Sequence, residues 1–261
     1  MSVISHKKAK RILADVFQKR CAEGTLLSES EDYYYGSADR WALAISYFSR
    51  YAQKGKVLDI GAWDGFFCCS LIAAGFSAAG IDWGQPMTED FWKAKKIEWA
   101  DCNIEADPIP FGNNTFSGIY MGQVLEHFTY SPKKPFLEFY RVLKPGGILI
   151  VDVPNIGEWH NFYRLIRGKN ILYDYKMHYI DDEPKFYKGL PYFIRHNREF
   201  TRNELRVLAE THGFEVIRAD YINSRRLTKK GWRKLEIPFT ALRDVIPLFR
   251  KSIMLVARKP F

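Results

Sequence analysis

Residues 57–67 read VLDIGAWDGFF. A mostly apolar run enters an acid at Asp59, Gly61 and Gly65 bracket Ala-Trp-Asp, and an apolar stretch opens at Phe66. Strand, sparing turn and helix in that order mark the first unit of an open α/β sheet, where ligands bind beyond the carboxyl ends of the strands. Glycines at 61 and 65 let the backbone approach a ligand closely, while the next helix presents free N–H groups. The stretch reads as a cofactor cradle.

Working outward, short apolar runs alternate with helical patterns, the rhythm of βαβ units. KVLDIG, SAAGID, KIEWAD, FSGIYMG and GILIVDVP supply five strands, and FEVIRADYI and SIMLVARK two more. FFCCSLIAAG is a helix closed by Gly75, and EDFWKAKK a weaker one. A further helix starts at Ser131-Pro132 and stops at the glycines of RVLKPGG. Thr201 and Glu204 form an S/T-x-x-E capping box, with Gly213 ending that helix. The pattern implies one α/β domain with an elaboration, free of internal repeats.

Composition bounds the rest. With 47% hydrophobic and 26% charged residues, the chain has the balance of a folded globular protein. Cys21, Cys68, Cys69 and Cys102 include no Cys-x-x-Cys pair, and the adjacent Cys68 and Cys69 are poorly placed to bond each other, which suits a reducing, cytoplasmic setting. No secretory signal or membrane-length apolar run is present. The net charge of +9 is partly local: Lys7, Lys8, Lys10 and Arg11 at one end, Arg225, Arg226, Lys229, Lys230, Arg233 and Lys234 near the other. Such runs fit a solvated face as well as a patch for nucleic acid, anionic membrane or an acidic substrate.

The glycine spacing separates the cofactors. A dinucleotide turn needs G-x-G-x-x-G, yet Trp63 and Phe66 stand at the second and third glycine positions, and no phosphate-binding G-x-x-x-x-G-K-[ST] occurs. The chain resembles instead the class I S-adenosylmethionine-dependent methyltransferases, of the type 11, small-molecule and ubiquinone-pathway-like group. Their first motif is D-x-G-x-G-x-G, which Asp59, Gly61 and Gly65 match and Trp63 departs from at the middle glycine. PIPFGNNTFSGIYMGQVLEHF and RVLKPGGILIVDVPN carry the likeness onward, strongly over residues 55–155 and more weakly over 196–260. The resemblance implies a Rossmann-like, doubly wound, mainly parallel seven-stranded sheet with helices on both faces, and S-adenosyl-L-methionine as cofactor. It also implies roles. Asp82, 23 residues after Asp59, would accept from both ribose hydroxyls, Asp101 from the adenine amino group, and Cys102 would lend its backbone. Trp63, Trp83 and Gln123 complete the expected cofactor side, although an aromatic beside a strand end is as often core.

The acceptor is less defined. After the fourth strand the chain has GQVLEH where amine-methylating relatives often carry Asn/Asp-Pro-Pro-Tyr/Phe, which argues for another acceptor. Glu126-His127 resembles the end of a Glu-x-x-Glu-His pattern, associated with a divalent metal in ubiquinone-pathway O-methyltransferases, but Gln123 replaces the first acid. Two ligands are too few, and no metal is expected. His127 and His196 are candidate bases, with structural roles open for both; His160 and His178 are weaker. Residues 156–200 are too long for an ordinary connection and dense in Trp, Tyr and Phe, which fits an acceptor-side insertion. The division expected is an N-terminal helical extension or lid over 1–52, with Tyr33, Tyr35 and Arg40 in reach, and a methyltransferase domain over 53–261. Three functions follow: O-methylation of a small molecule or glycan, including a lipid-linked one met at an anionic membrane surface; methylation of RNA, tRNA above all; or a non-catalytic use of the fold.

Overall fold

The first strand, β1 (Lys56–Ile60), is buried along nearly all its length, as its mostly apolar run requires of a strand covered on both faces. The computed structural model describes residues 3–27, 30–84, 87–172, 175–223 and 245–261. The basic run from Arg225 to Lys234 lies outside the described residues. Around β1 stand β2 (Ser77–Asp82), β3 (Glu98–Asp101), β4 (Phe116–Gly122), β5 (Leu143–Pro154), a short hairpin of β6 (Lys185–Tyr187) and β7 (Leu190–Tyr192), then β8 (Glu215–Ile222) and β9 (Ser252–Arg258).

The main sheet has seven strands in the order β3-β2-β1-β4-β5-β9-β8. Pairings are parallel except for those of β9, which runs antiparallel to both β5 and β8. The Rossmann-like, doubly wound architecture is therefore the one the motifs imply. Its strand order reverses direction between β1 and β4, and a crevice opens beyond their carboxyl ends.

Side-chain alternation divides the core. Leu58, Ile60, Ile119, Met121, Leu149, Val151 and Val153 point to one face, against α5 (Lys133–Val142) and α7 (Arg202–Thr211). Val57, Tyr120, Ile148 and Ile150 point to the other, against α1 (His6–Ala22), α2 (Ser30–Tyr51) and α3 (Phe66–Ala73). The N-terminal helices thus share a core with the sheet. Gly118 permits this closeness, because a Cβ there would come within 2.6 Å of Phe48 on α2.

The same alternation places Asp152 among the apolar residues facing α2, with no exposed surface. Arg40 of α2 meets it at 2.6 Å, Gln123 donates to it at 2.9 Å, and the Tyr120 hydroxyl donates to its other oxygen. Burial opposes the charge of Arg40, but Asp152 and the tyrosines around it outweigh that, and the guanidinium pKa is raised.

Two local expectations meet different outcomes. The capping box is present: Thr201 accepts from the Glu204 N–H, and Glu204 accepts from the Thr201 N–H at 2.7 Å. The helix expected to stop at Gly146-Gly147 ends earlier, at Val142, and Leu143 already pairs with Phe116 in β5. Pro145 cannot continue a helix, and Gly146 takes the bend at φ 75° while its N–H reaches the Lys259 carbonyl. No helix among the described residues is long and apolar enough to cross a membrane.

Removing Arg40 leaves Asp152 as an uncompensated buried charge. Arg40→Met is expected to cost about 3–5 kcal/mol in urea unfolding, and a loss under about 1 kcal/mol would show that Tyr120 and Gln123 alone hold the carboxylate.

Candidate active site

The carboxyl ends of the central strands open into a cavity of about 790 Å³, lined by the turn after β1, the ends of β2 and β4, and residues of the insertion. That volume suits a small-molecule or cofactor site. Gly61 sits at φ 74° and Gly65 at φ 73°, and a Cβ at either would come within 2.5 Å of a neighbour, Val124 or Trp92 respectively. Glycine is required at both.

Trp63, the departure at the middle glycine position, holds φ 41°. It therefore keeps a left-handed backbone normally left to glycine, so the turn survives the substitution. Its ring meets Tyr33 of α2 edge-on at 5.5 Å, and both rings line the cavity. The third residue is thus a wall where a glycine would leave a gap.

Asp82 ends β2 with each carboxylate oxygen aligned by a backbone donor, Trp63 N–H to Oδ2 at 2.9 Å and Trp83 N–H to Oδ1 at 2.8 Å. Each oxygen keeps a further lone pair, so a vicinal diol in the cavity finds two acceptors on one side chain. Burial raises the Asp82 pKa to about 6, held back by the two N–H groups and pushed further by Asp101.

Other expected cofactor residues are placed differently. Asp59 is buried behind the turn and does not line the cavity; Cys68 Sγ–H points to its Oδ2 at 3.6 Å, and burial lifts its pKa well above the carboxylate range. Gly65 shapes α3 beneath Trp92 without lining the cavity. Asp101 is exposed and accepts the Gly84 N–H at 3.2 Å. Cys102 lines the cavity, but its own N–H is committed to the Asp82 carbonyl at 2.9 Å. Gln123 lines it at φ 56°, its side chain drawn to Asp152.

The insertion covers this site. Its β6–β7 hairpin sets Tyr187 and Tyr192 against Trp83, at 5.7 and 5.5 Å between ring centroids. Phe193 N–H reaches Thr129 Oγ1 at 3.1 Å, and the N–H groups of Asn197 and Arg198 both donate to the Glu126 carbonyl. By contrast, α6 (Trp159–Ile166) shows an exposed apolar side, and His160 and His178 do not line the cavity.

His127 and His196 come together at 4.7 Å between centroids, nearly perpendicular. His127 lines the cavity, whereas His196 stands beside it. The Ile194 carbonyl lies 2.6 Å from His127 Nδ1, which fixes the proton there and leaves Nε2 as the acceptor. Burial lowers the His127 pKa, and His196 lowers it further. Glu126, in the single turn Leu125–His127, is only 1% exposed with neither carboxylate oxygen hydrogen-bonded, and burial raises its pKa to about 8. Its burial had no sequence signal. Asp152, by contrast, was visible as the one acid in GILIVDVP.

Residues 58–151 match the family model described as a methyltransferase domain. The ubiquinone/menaquinone biosynthesis C-methyltransferase of Methylococcus capsulatus is 27% identical, with 85% of this chain and 79% of that protein covered. The malonyl-[acyl-carrier protein] O-methyltransferase of Buchnera aphidicola is 25% identical, with 69% and 74% covered. Among solved structures, a chain of the complex between the Haloferax volcanii Trm112 methyltransferase activator and a methyltransferase superposes with a TM-score of 0.60 at 15% identity, covering 95% of this chain and 97% of that one. This last likeness speaks to the fold alone.

Asp82 in the cavity wall and the two obligatory glycines fit S-adenosylmethionine. Ribose hydroxyls favour the carboxylate, whose pKa in the free protein is about 6, so affinity should be full at neutral pH and fall as pH drops below that value. Calorimetric titration from pH 8 to pH 5 checks the sign. Asp82→Ala should weaken binding by at least about tenfold, the scale of hydrogen bonds to a charged group.

Proposed function

Because the chain is a class I S-adenosylmethionine-dependent methyltransferase, we propose that it methylates an oxygen of a small molecule or glycan held beneath the aromatic insertion. The observation that carries this reading is the His127–His196 pair beside the buried Glu126 at the covered end of the cavity.

Bound in the cavity, S-adenosylmethionine supplies a methyl group already activated by the sulfonium. What remains for the protein is alignment and removal of the acceptor proton. Asp82 holds the ribose, with Gly61 beneath and Trp83 as an aromatic wall. The rings of Tyr33 and Trp63 offer faces suited to a cation. His127 Nε2 takes the proton of the acceptor hydroxyl, with His196 behind it. Tyr192, Phe193 and Lys185 line the acceptor side, a surface suited to a phenol, a sugar or an acidic metabolite. The N-terminal extension 1–52 serves as a lid, its helix α2 presenting Tyr33 to the cavity and anchored by Arg40 on Asp152, and 156–200 serves as the acceptor-side cover of the 53–261 domain.

The relatives act on a carbon and on an oxygen acceptor, as their names state. A phenol fits both patterns, since losing its proton enriches oxygen and ring carbon alike. The four free cysteines favour a cytoplasmic setting.

The test is release of S-adenosylhomocysteine across a panel of phenols, free and lipid-linked glycans, and tRNA. His127→Gln should lower turnover by about 10²–10⁴-fold while S-adenosylmethionine binding is unchanged. Full turnover in that variant would remove His127 as the base, and methylation of tRNA alone would replace the acceptor class.

A further inference from the structure

We infer that Glu126, His127 and His196 bind one divalent transition-metal ion. Their donor atoms, one from each residue, lie within 4.8 Å of one another. Ligands about 2.1 Å from an ion in tetrahedral array stand about 3.4 Å apart, so a convergence of at most about 1.4 Å closes the site.

Three further observations point to a cation. Glu126 is 1% exposed with both carboxylate oxygens unpartnered, an arrangement that is costly without an occupant to receive them. His127 is oriented as a ligand would be, its Nδ1 held by the Ile194 carbonyl at 2.6 Å. His196 has a carboxylate nearby at ion-pair distance, Glu199 Oε1 lying 3.9 Å from its Nδ1, and Glu199 is itself fixed by Asn161 at 2.6 Å.

The donor set selects the metal. Two imidazoles and one carboxylate favour zinc, iron(II), cobalt(II) or manganese(II) over magnesium or calcium, which prefer oxygen ligands. The chain segments matter too. Glu126 and His127 follow β4, whereas His196 belongs to the return of the insertion, so one ion clamps the cover to the sheet. With the ion bound, His127 Nε2 is a ligand and no longer the proton acceptor; because His127 lines the cavity, the ion's open position faces the acceptor side, where a Lewis acid lowers the pKa of a hydroxyl in its place. Only that chemical consequence rests on the proposed function; the binding itself does not.

The experiment uses the full chain after chelator treatment, titrated with Zn²⁺ by calorimetry and with Co²⁺ by visible spectroscopy. S-adenosylmethionine binding is measured on the same preparations. One ion per chain is expected, with d–d bands of nitrogen and oxygen ligation. Glu126→Gln and His196→Ala should each weaken uptake by at least about tenfold, while His160→Ala leaves it unchanged. Wild type that binds S-adenosylmethionine without stoichiometric metal overturns the inference and spares the methyltransferase reading. Equal uptake by wild type and both variants overturns it as well. So does a thiolate charge-transfer band, which needs no variant to fold.

Discussion

A carboxylate placed on an apolar face must be met, and in this protein the residues that meet Asp152 come from three separate stretches of the chain. Val151 and Val153 enter the core under α5 and α7, so Asp152 is committed to the other face by the pleat alone. There it gathers Arg40 from α2, Tyr120 from β4 and Gln123 from the turn that follows. One buried anion therefore joins an N-terminal helix, two neighbouring strands and a residue lining the cavity. Tyr33 lies seven residues before Arg40 on the same helix, two turns away on the same face, which is how a contact in the core brings an aromatic ring to the cavity mouth.

The sheet was legible because its determinants are local. Unbroken apolar runs and glycine turns mark buried parallel strands, and Asp82 declares itself by standing at the end of one of them. The network around Asp152 was not, since Arg40 and Asp152 are 112 positions apart and no periodicity links them. The acid within GILIVDVP was visible without its partner. The helix expected to run up to Gly146 shows the limit from the other side. There, a turn signal was read as a helix stop, although pairing of Leu143 with Phe116 had already claimed the chain for the sheet.

Residue type and backbone role also came apart. Tryptophan at position 63 looks like a loss of the family's middle glycine, yet its φ of 41° keeps the turn. Sequence shows the substitution but not the dihedral. What sustains the strained conformation is the fixed acceptor at Asp82 and the ring contact with Tyr33. Asp59 carries the opposite lesson. It matches the motif by position, but its carboxyl is buried against Cys68, so its contribution is to the turn that supports the ligand.

Electrostatics give the site a direction. Asp82 and Glu126 are held with pKa values near 6 and 8, each raised chiefly by burial, and Asp59 is raised as well. Acids desolvated in this way favour any cation that enters, because a positive charge offsets the cost of ionising them. The sulfonium of S-adenosylmethionine is such a cation, and its demethylated product carries no charge at sulfur. Asp152 offers little to such a cation, because Arg40 already balances it. The protein thus separates two uses of buried acids: a paired anion, Asp152, that fixes the architecture, and acids without a counter-ion, Asp82 in the cavity wall and Glu126 next to His127.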